Sequence, residues 1–400
     1  MIIRTIAAVV VAFVLSAAGV SAHHGFGTFD LSKSVTYTGK LTRLEFINPH
    51  SWLYFEVTDA NGKVTKYRCE MRSAHTLRRS GWKEELFPIG EQVTIEAAPD
   101  RNDPQSCYLN TILFANGTRM DRYGQYVATG KNKVEEVRGP LSRRGGTVKL
   151  APTAPRAARR ASGEPNISGD WAPEQVVMVD PRGRGGPLVP LSTIATAKPA
   201  EGAGRAGGGG GRGRGQAGPR MYGGVEVTPA AEEAAAKFTA KDNPRFNCQT
   251  TNIIFDWTFD GPVNRIQQNR DNIVIFYGQL NLRRTIHTNT RTHPPNVKPS
   301  RAGHSYGYWE GDTLVVDTTN FLPGFLNFPI PHSDKLHIVE RFTLDPKTMK
   351  LTRTWTAEDP VYLKGVAKGQ DVVEPADAPY TRDECKEQQF IDYSKETAGR

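Results

Sequence analysis

The run Gly207–Gly211, followed by Arg212-Gly213-Arg214-Gly215, limits this chain more than any other stretch. It has no apolar side chain to bury, and its glycines have the most backbone freedom to lose, so it cannot join a core. The wider segment 121–227, dominated by Gly, Pro, Ala and Arg, therefore reads as a disordered basic linker. It divides the chain into a first unit at 23–120 and a second at 228–390, with a tail at 391–400. The formal charge of +9 belongs to this linker: residues 121–220 hold 17 Lys/Arg against 8 Asp/Glu, and the other 300 residues hold 34 of each. The folded units are electrically balanced, so no nucleic-acid face is expected. Weak contact of the linker with an anionic envelope is the one partner the charge suggests.

The first 22 residues have the layout of a secretory signal: Arg4, an apolar run from Ile6 to Leu15, and small residues ending Val20-Ser21-Ala22. Cleavage after Ala22 predicts a periplasmic or secreted chain beginning His23-His24. No later stretch reaches the roughly 18–20 apolar residues of a transmembrane helix, so no membrane span is expected after cleavage. Four cysteines in an exported chain favour disulfides, and three pairings are open. Cys69–Cys107 with Cys248–Cys385 is preferred, because each pair then lies within one unit. No Cys-x-x-Cys occurs, which argues against a redox or zinc role for these thiols.

The first unit reads as strands Ser34–Asn48, Ser51–Thr58, Lys63–Glu70, Glu91–Ala97 and Cys107–Phe114, with a helix at Arg72–Arg79. Asp59-Ala60-Asn61-Gly62 is a hairpin turn signal. Three strands, a helix and two strands is the order of a small OB-like barrel. The free amine and imidazole of His23, with the following backbone nitrogen and His24, form a nitrogen set suited to copper(II). His50, in Asn48-Pro49-His50-Ser51-Trp52, completes a candidate metal site of His23, His24 and His50, with His75 nearby on the helix. The pattern His-His-Gly-x-x-x-Phe-Asp followed by Asn-Pro-His-Ser-Trp resembles an exported bacterial family of unknown function, over roughly residues 22–120. That resemblance implies a secreted module and carries no activity with it.

The second unit begins with a clear helix start, Thr228 as cap and Pro229 in the first turn, and the helix is expected to end at Asp242-Asn243-Pro244. Eight strands follow: Asn252–Thr258, Asn264–Gln268, Asn272–Gly278, Leu282–Thr288, His304–Glu310, Thr313–Thr319, Leu336–Leu344 and Met349–Thr356. Such a succession predicts an antiparallel meander closed into a barrel with room for one small ligand. Inside the linker, Ile167-Ser168-Gly169-Asp170-Trp171 stands out as a first-strand candidate. Its Gly-x-Trp resembles the opening strand of lipocalins and other calycins. The resemblance implies that an arginine from a late strand, Arg341 or Arg353, covers the tryptophan. The stretches 303–317 and 331–342 also resemble a C-terminal domain recurrent in exported bacterial proteins, over about 165–390. The fold expected overall is all-β, an OB-like barrel and a lipocalin-like barrel joined by a linker.

Five of the nine histidines, His287, His293, His304, His332 and His337, fall in this second unit near Glu310, Asp312, Asp317, Asp334, Glu340 and Arg341. Alternation along strands puts His304, Tyr306 and Tyr308 on one face and Ser305, Gly307 and Trp309 on the other. It likewise puts Glu340 among the apolar positions Ile338 and Phe342, where it needs a buried partner such as Arg353 or His304. No Gly-x-Ser-x-Gly, P-loop or His-Glu-x-x-His is present, and Ser305 beside His304 points to the opposite face. The apolar loop Phe321–Pro329 is a candidate cap over a barrel mouth. The expected function is binding of a small apolar or amphipathic ligand in the second barrel, oriented by His304, Tyr306, Asp317, Glu340, Arg341 and Arg353. A second reading is an enzyme with His304, Asp317 and Glu340 as acid–base groups, and a third is copper binding at the N-terminus.

Overall fold

A computed structural model describes residues 29–128, 156–178, 188–190 and 219–387, apart from 80, 81, 83, 102, 123–125, 175 and 239–241. The signal segment, His23, His24 and the Gly/Arg-rich run lie outside the described residues. Within them no helix is long and apolar enough to cross a membrane. The chain is all-β, with two barrels.

The first barrel is built from β1 (Val35–Glu45), β2 (Trp52–Thr58), β3 (Val64–Glu70), α1 (Ala74–Arg79), β4 (Gln92–Pro99) and β5 (Ser106–Phe114). The strands run β3-β2-β1-β4-β5, and a parallel β3–β5 pairing closes the ring, as the OB-like order predicts. Leu41, Leu53, Phe55, Val93, Ile95, Leu109 and Ile112 fill its core, and Leu77 of α1 is buried in the same cluster. Two further strands, β6 (Thr118–Asp121) and β7 (Tyr126–Ala128), extend the sheet beyond β5. Cys69 and Cys107 sit opposite each other on β3 and β5 and form a disulfide.

The second barrel closes in the order β13-β14-β15-β16-β17-β20-β21-β22-β8. Its members are β8 (Gly169–Ala172), β13 (Asn264–Gln268), β14 (Asn272–Phe276), β15 (Arg283–His287), β16 (His304–Glu310), β17 (Thr313–Thr319), β20 (His337–Leu344), β21 (Leu351–Glu358) and β22 (Ala367–Pro375). Two small hairpins, β9 (Val176–Met178) with β10 (Leu188–Pro190) and β11 (Met221–Tyr222) with β12 (Val225–Glu226), lie between β8 and α2 (Pro229–Lys237). β8 pairs with both β13 and β22, so the first-strand candidate is the closing strand. The Gly/Arg-rich run therefore interrupts the sequence of the second barrel, since one of that barrel's strands precedes it.

Four expectations need amendment. The barrel has nine strands and one parallel pair, β15–β16, where eight antiparallel strands are expected. The ninth, β22, has Lys, Gly, Gln and Asp in its first half, which hides it from a propensity reading. Asn252–Thr258 is not a strand: Asn252 Oδ1 accepts the N–H groups of Ile254 and Phe255 and starts the short helix α3 (Phe255–Thr258). The helix beginning at Thr228 ends at Lys237, because Phe238 adopts extended backbone. Trp171 is covered by Arg156, whose guanidinium lies 4.1 Å from the ring centroid, and by neither Arg341 nor Arg353.

The apolar stretch after β17 folds into a hairpin, β18 (Gly324–Asn327) and β19 (Ile330–His332). Leu326 and Ile330 enter the main core, and Phe325 and Phe328 pack against Phe238. A disulfide joins Cys248 to Cys385, tying the two ends of the unit together.

The barrels meet along α1. Asp260 accepts Arg72 Nη2 at 2.9 Å and Ser73 Oγ at 2.5 Å, and its own carbonyl accepts the Thr76 hydroxyl. Val263 N–H donates to His75 Nε2 at 3.1 Å, and Arg79 donates to the carbonyls of Gly261 and Pro173. The C-terminal segment adds a clasp: Asp383 accepts Asn48 Nδ2 and Leu280 N–H, both at 2.6 Å.

Candidate functional site

The proposed ligand-orienting residues separate into two groups, one inside the second barrel and one outside. The reason is strand parity. On β20 the inward positions are Ile338, Glu340, Phe342 and Leu344, all buried, while His337, Val339 and Arg341 face outward. On β16 Ser305 and Gly307 point in, while His304, Tyr306 and Tyr308 point out. Asp317 pairs with Tyr306 on one side and Val339 on the other, so it too lies on the outer face.

The inner group is a closed ion network. Glu340 has no exposure, and its carboxylate oxygens lie 3.1 Å from Arg353 Nη1 and 2.5 Å from Arg284 Nη2. Arg353 also reaches Asp371 on β22 at 2.6 Å and donates to the carbonyls of Ile253 and Ile254. Arg284 donates to Ser305 Oγ and Thr318 Oγ1. Trp257 of α3 packs beside them, edge-on to Tyr277 and Phe342. The interior at this level is thus occupied by side chains that pair with one another. Glu340 and Arg353 pair as parity suggests, but they do not share a cavity with His304, Tyr306, Asp317 and Arg341. Arg284 is the partner that the sequence reading missed. It occupies an inward position beside Ile286, and the apolar character of that face was the available signal.

The outer group is a hydrogen-bonded chain of half-buried titratable side chains. Asp317 accepts His293 Nε2 at 2.9 Å on one oxygen and His337 Nε2 at 3.0 Å on the other. His293 Nδ1 in turn lies 2.8 Å from His304 Nδ1. The His304 ring stacks on His287 at 5.1 Å between centroids, and Tyr306 lies 4.8 Å from His293. The side chains of His293, Asp317 and His337 remain 20%, 22% and 36% exposed, so solvent reaches them. His293 arrives from the connection 288–303, which the parallel β15–β16 pairing requires and which crosses this outer face.

Its electrostatics are mutually consistent. Burial would raise the Asp317 pKa, but the two imidazole N–H bonds hold it below the usual carboxylate range. His337 is raised, chiefly by its bond to Asp317. His304 is lowered by burial and by the neighbouring imidazoles of His293 and His287. Because ionised Asp317 can only accept, His293 donates its Nε2–H to it, and the other ring nitrogen, Nδ1, meets His304 Nδ1.

The remaining candidates lie elsewhere. Arg341 is half exposed and pairs with Glu310 at 2.6 Å, apart from the histidines. His332 is buried, bonds the Ser333 carbonyl and packs against Phe321. His50 stands 2.8 Å from Glu70, with its ring 5.5 Å from Phe246 of the second unit. His23 and His24 lie outside the described residues, so His50 alone of the copper trio is placed.

Residues 10–107 match a family of unknown function, DUF6152. The match covers about a quarter of the chain and ends on β5, in line with the N-terminal resemblance noted above. It supports no lipocalin assignment for the second barrel. No curated protein and no solved structure is similar to the chain at a significant level.

Proposed function

We propose that this chain is an exported binding protein whose ligand site is the histidine-rich outer face of the nine-stranded barrel, not the barrel interior. The observation that carries this reading is the unbroken chain His304–His293–Asp317–His337, which joins three strands and a loop at solvent-accessible positions. A buried polar network needs only to satisfy itself. A fixed, partly exposed set of imidazoles offers oriented nitrogen atoms to something outside the protein. The ligand class is therefore a polar or ionic species recognised by nitrogen donors and lone pairs, rather than an apolar molecule. Export is supported by the signal-like N-terminus and by two disulfides, which persist in oxidising compartments.

Native mass spectrometry of the chain purified from its own source, with elemental analysis of the same sample, tests the reading. The wild-type chain is expected to carry an adduct that is absent from Asp317→Asn and His337→Ala. An adduct retained by both variants would move the ligand to another part of the molecule and overturn the proposal.

A further inference from the structure

The outer face gathers His287, His293, His304 and Asp317 within stacking or hydrogen-bonding distance of one another. Three facts combine. His293 Nε2 is committed to Asp317 at 2.9 Å, so Nδ1 is the nitrogen of that ring turned to the other imidazoles. That Nδ1 points at a second Nδ1, on His304, only 2.8 Å away. A third imidazole, His287, lies parallel to His304 at 5.1 Å from the adjoining strand, where its pairing with Tyr306 places it on the same outer face. A carboxylate that bonds one nitrogen of an imidazole while the other nitrogen faces additional donors is the arrangement that orients histidine ligands in metalloproteins.

Resting on the reading of this face as the binding site, the geometry points to a late first-row divalent ion, such as zinc or copper, as its ligand. His293 Nδ1 and His304 Nδ1 are the first two ligands, His287 is the third, and Asp317 is the positioning carboxylate behind His293. Borderline metals of this class favour neutral imidazole. Two nitrogens on one tetrahedral zinc at about 2.0–2.1 Å stand roughly 3.3 Å apart, so the His293–His304 pair needs to open by only about half an ångström. Among the described residues no three donors already surround a single point. Completing the site requires the His287 side chain to turn about its own bonds toward the other two. His337, on the second oxygen of Asp317, fixes the carboxylate and takes no ligand position.

The test is titration of the tag-free full chain with zinc chloride by calorimetry, with cobalt(II) absorption as the second readout. One zinc per chain is expected, together with a cobalt spectrum of nitrogen-ligated tetrahedral type. His304→Ala and His293→Ala, both at partly exposed positions, should each weaken zinc at least about a hundredfold, and Asp317→Asn by about 10–100-fold. Circular dichroism and melting temperature confirm that the variants are folded. A zinc equivalent that survives both histidine substitutions undiminished would overturn the inference, as would a folded wild-type chain that binds none. If no zinc binds while the native adduct is still lost in Asp317→Asn, the metal is wrong and the outer-face reading stands.

Discussion

Two polar networks occupy opposite faces of the same strands, and they differ in almost every physical respect. Inside, Glu340 with Arg284 and Arg353 is sealed from water, with exposures of 0%, 1% and 0%. Outside, Asp317 with His293 and His337 is open to it. The inner set pairs two carboxylates, Glu340 and Asp371, with two permanent cations, Arg284 and Arg353. The outer set joins imidazoles to a carboxylate and leaves ring nitrogens facing one another. Charge buried at that depth holds the barrel together or breaks it. Charge held half in water can exchange one partner for another. The comparison predicts that inner substitutions act on stability and outer ones on binding.

The largest effect is expected from Glu340→Gln. The change leaves Arg284 buried without a carboxylate, and breaking a buried pair from one side costs about 3–5 kcal/mol. Guanidinium denaturation measures it, and a value near zero would end the distinction between the two networks. Next is the double change Cys248→Ser with Cys385→Ser, which opens a loop spanning 137 residues. Its expected cost is about 2–5 kcal/mol, again read by denaturation and without loss of zinc binding at the outer face.

The pH dependence of the inter-barrel contact is smaller and carries a definite sign. Burial holds His75 below its ordinary pKa, so it is neutral in the fold and accepts Val263 N–H. Once unfolded, it returns to about 6.5 and takes a proton the folded form refuses. Its contribution is therefore complete above about pH 6.5 and is lost as the pH falls toward the folded value. His50 runs the other way. Burial opposes its charge, but Glu70 more than offsets that and raises the pKa. The His50 contribution is present below about pH 6.5 and is lost as pH rises through the folded value. In thermal melts across this range, His75→Gln should flatten the acid side of the profile and His50→Gln the alkaline side. The smallest effect is expected for Arg341→Ala, which removes an exposed pair with Glu310 and should change neither melting temperature nor zinc affinity.

Much of this contrast was legible in the sequence, for a simple reason. Alternation along a strand assigns a face to every residue once the strand is recognised, so His304 and Tyr306 could be set apart from Ser305, and Glu340 from Arg341, without coordinates. The OB-like order and both disulfides were readable in the same local way. What alternation does not provide is which strands are neighbours. The parallel β15–β16 pair, the loop that brings His293 to Asp317, and the position of Arg284 against Glu340 all depend on contacts between distant segments. The error at Asn252 was local but equally physical. Ile253, Ile254 and Phe255 have strand-forming side chains, and a single amide on Asn252 outweighs them by capturing two backbone N–H groups. Arg156 over Trp171 escaped notice because it belongs to a segment whose composition reads as linker.

The placement of β8 ahead of the Gly/Arg-rich run has a practical consequence. That run is a seam in the sequence of the second barrel rather than a spacer between the barrels, and it contains arginines, after which trypsin cuts. A cut there would produce an upstream piece carrying the first barrel and β8, and a downstream piece carrying the rest. No disulfide crosses the cut, since one bridge lies wholly on each side of it. The pieces would still be held by the hydrogen bonds of β8 to β13 and β22 and by the contacts around Asp260. Nicked protein should therefore migrate as one particle under native conditions and as two bands in denaturant. The two halves, made separately, become natural partners for reconstitution as a split protein.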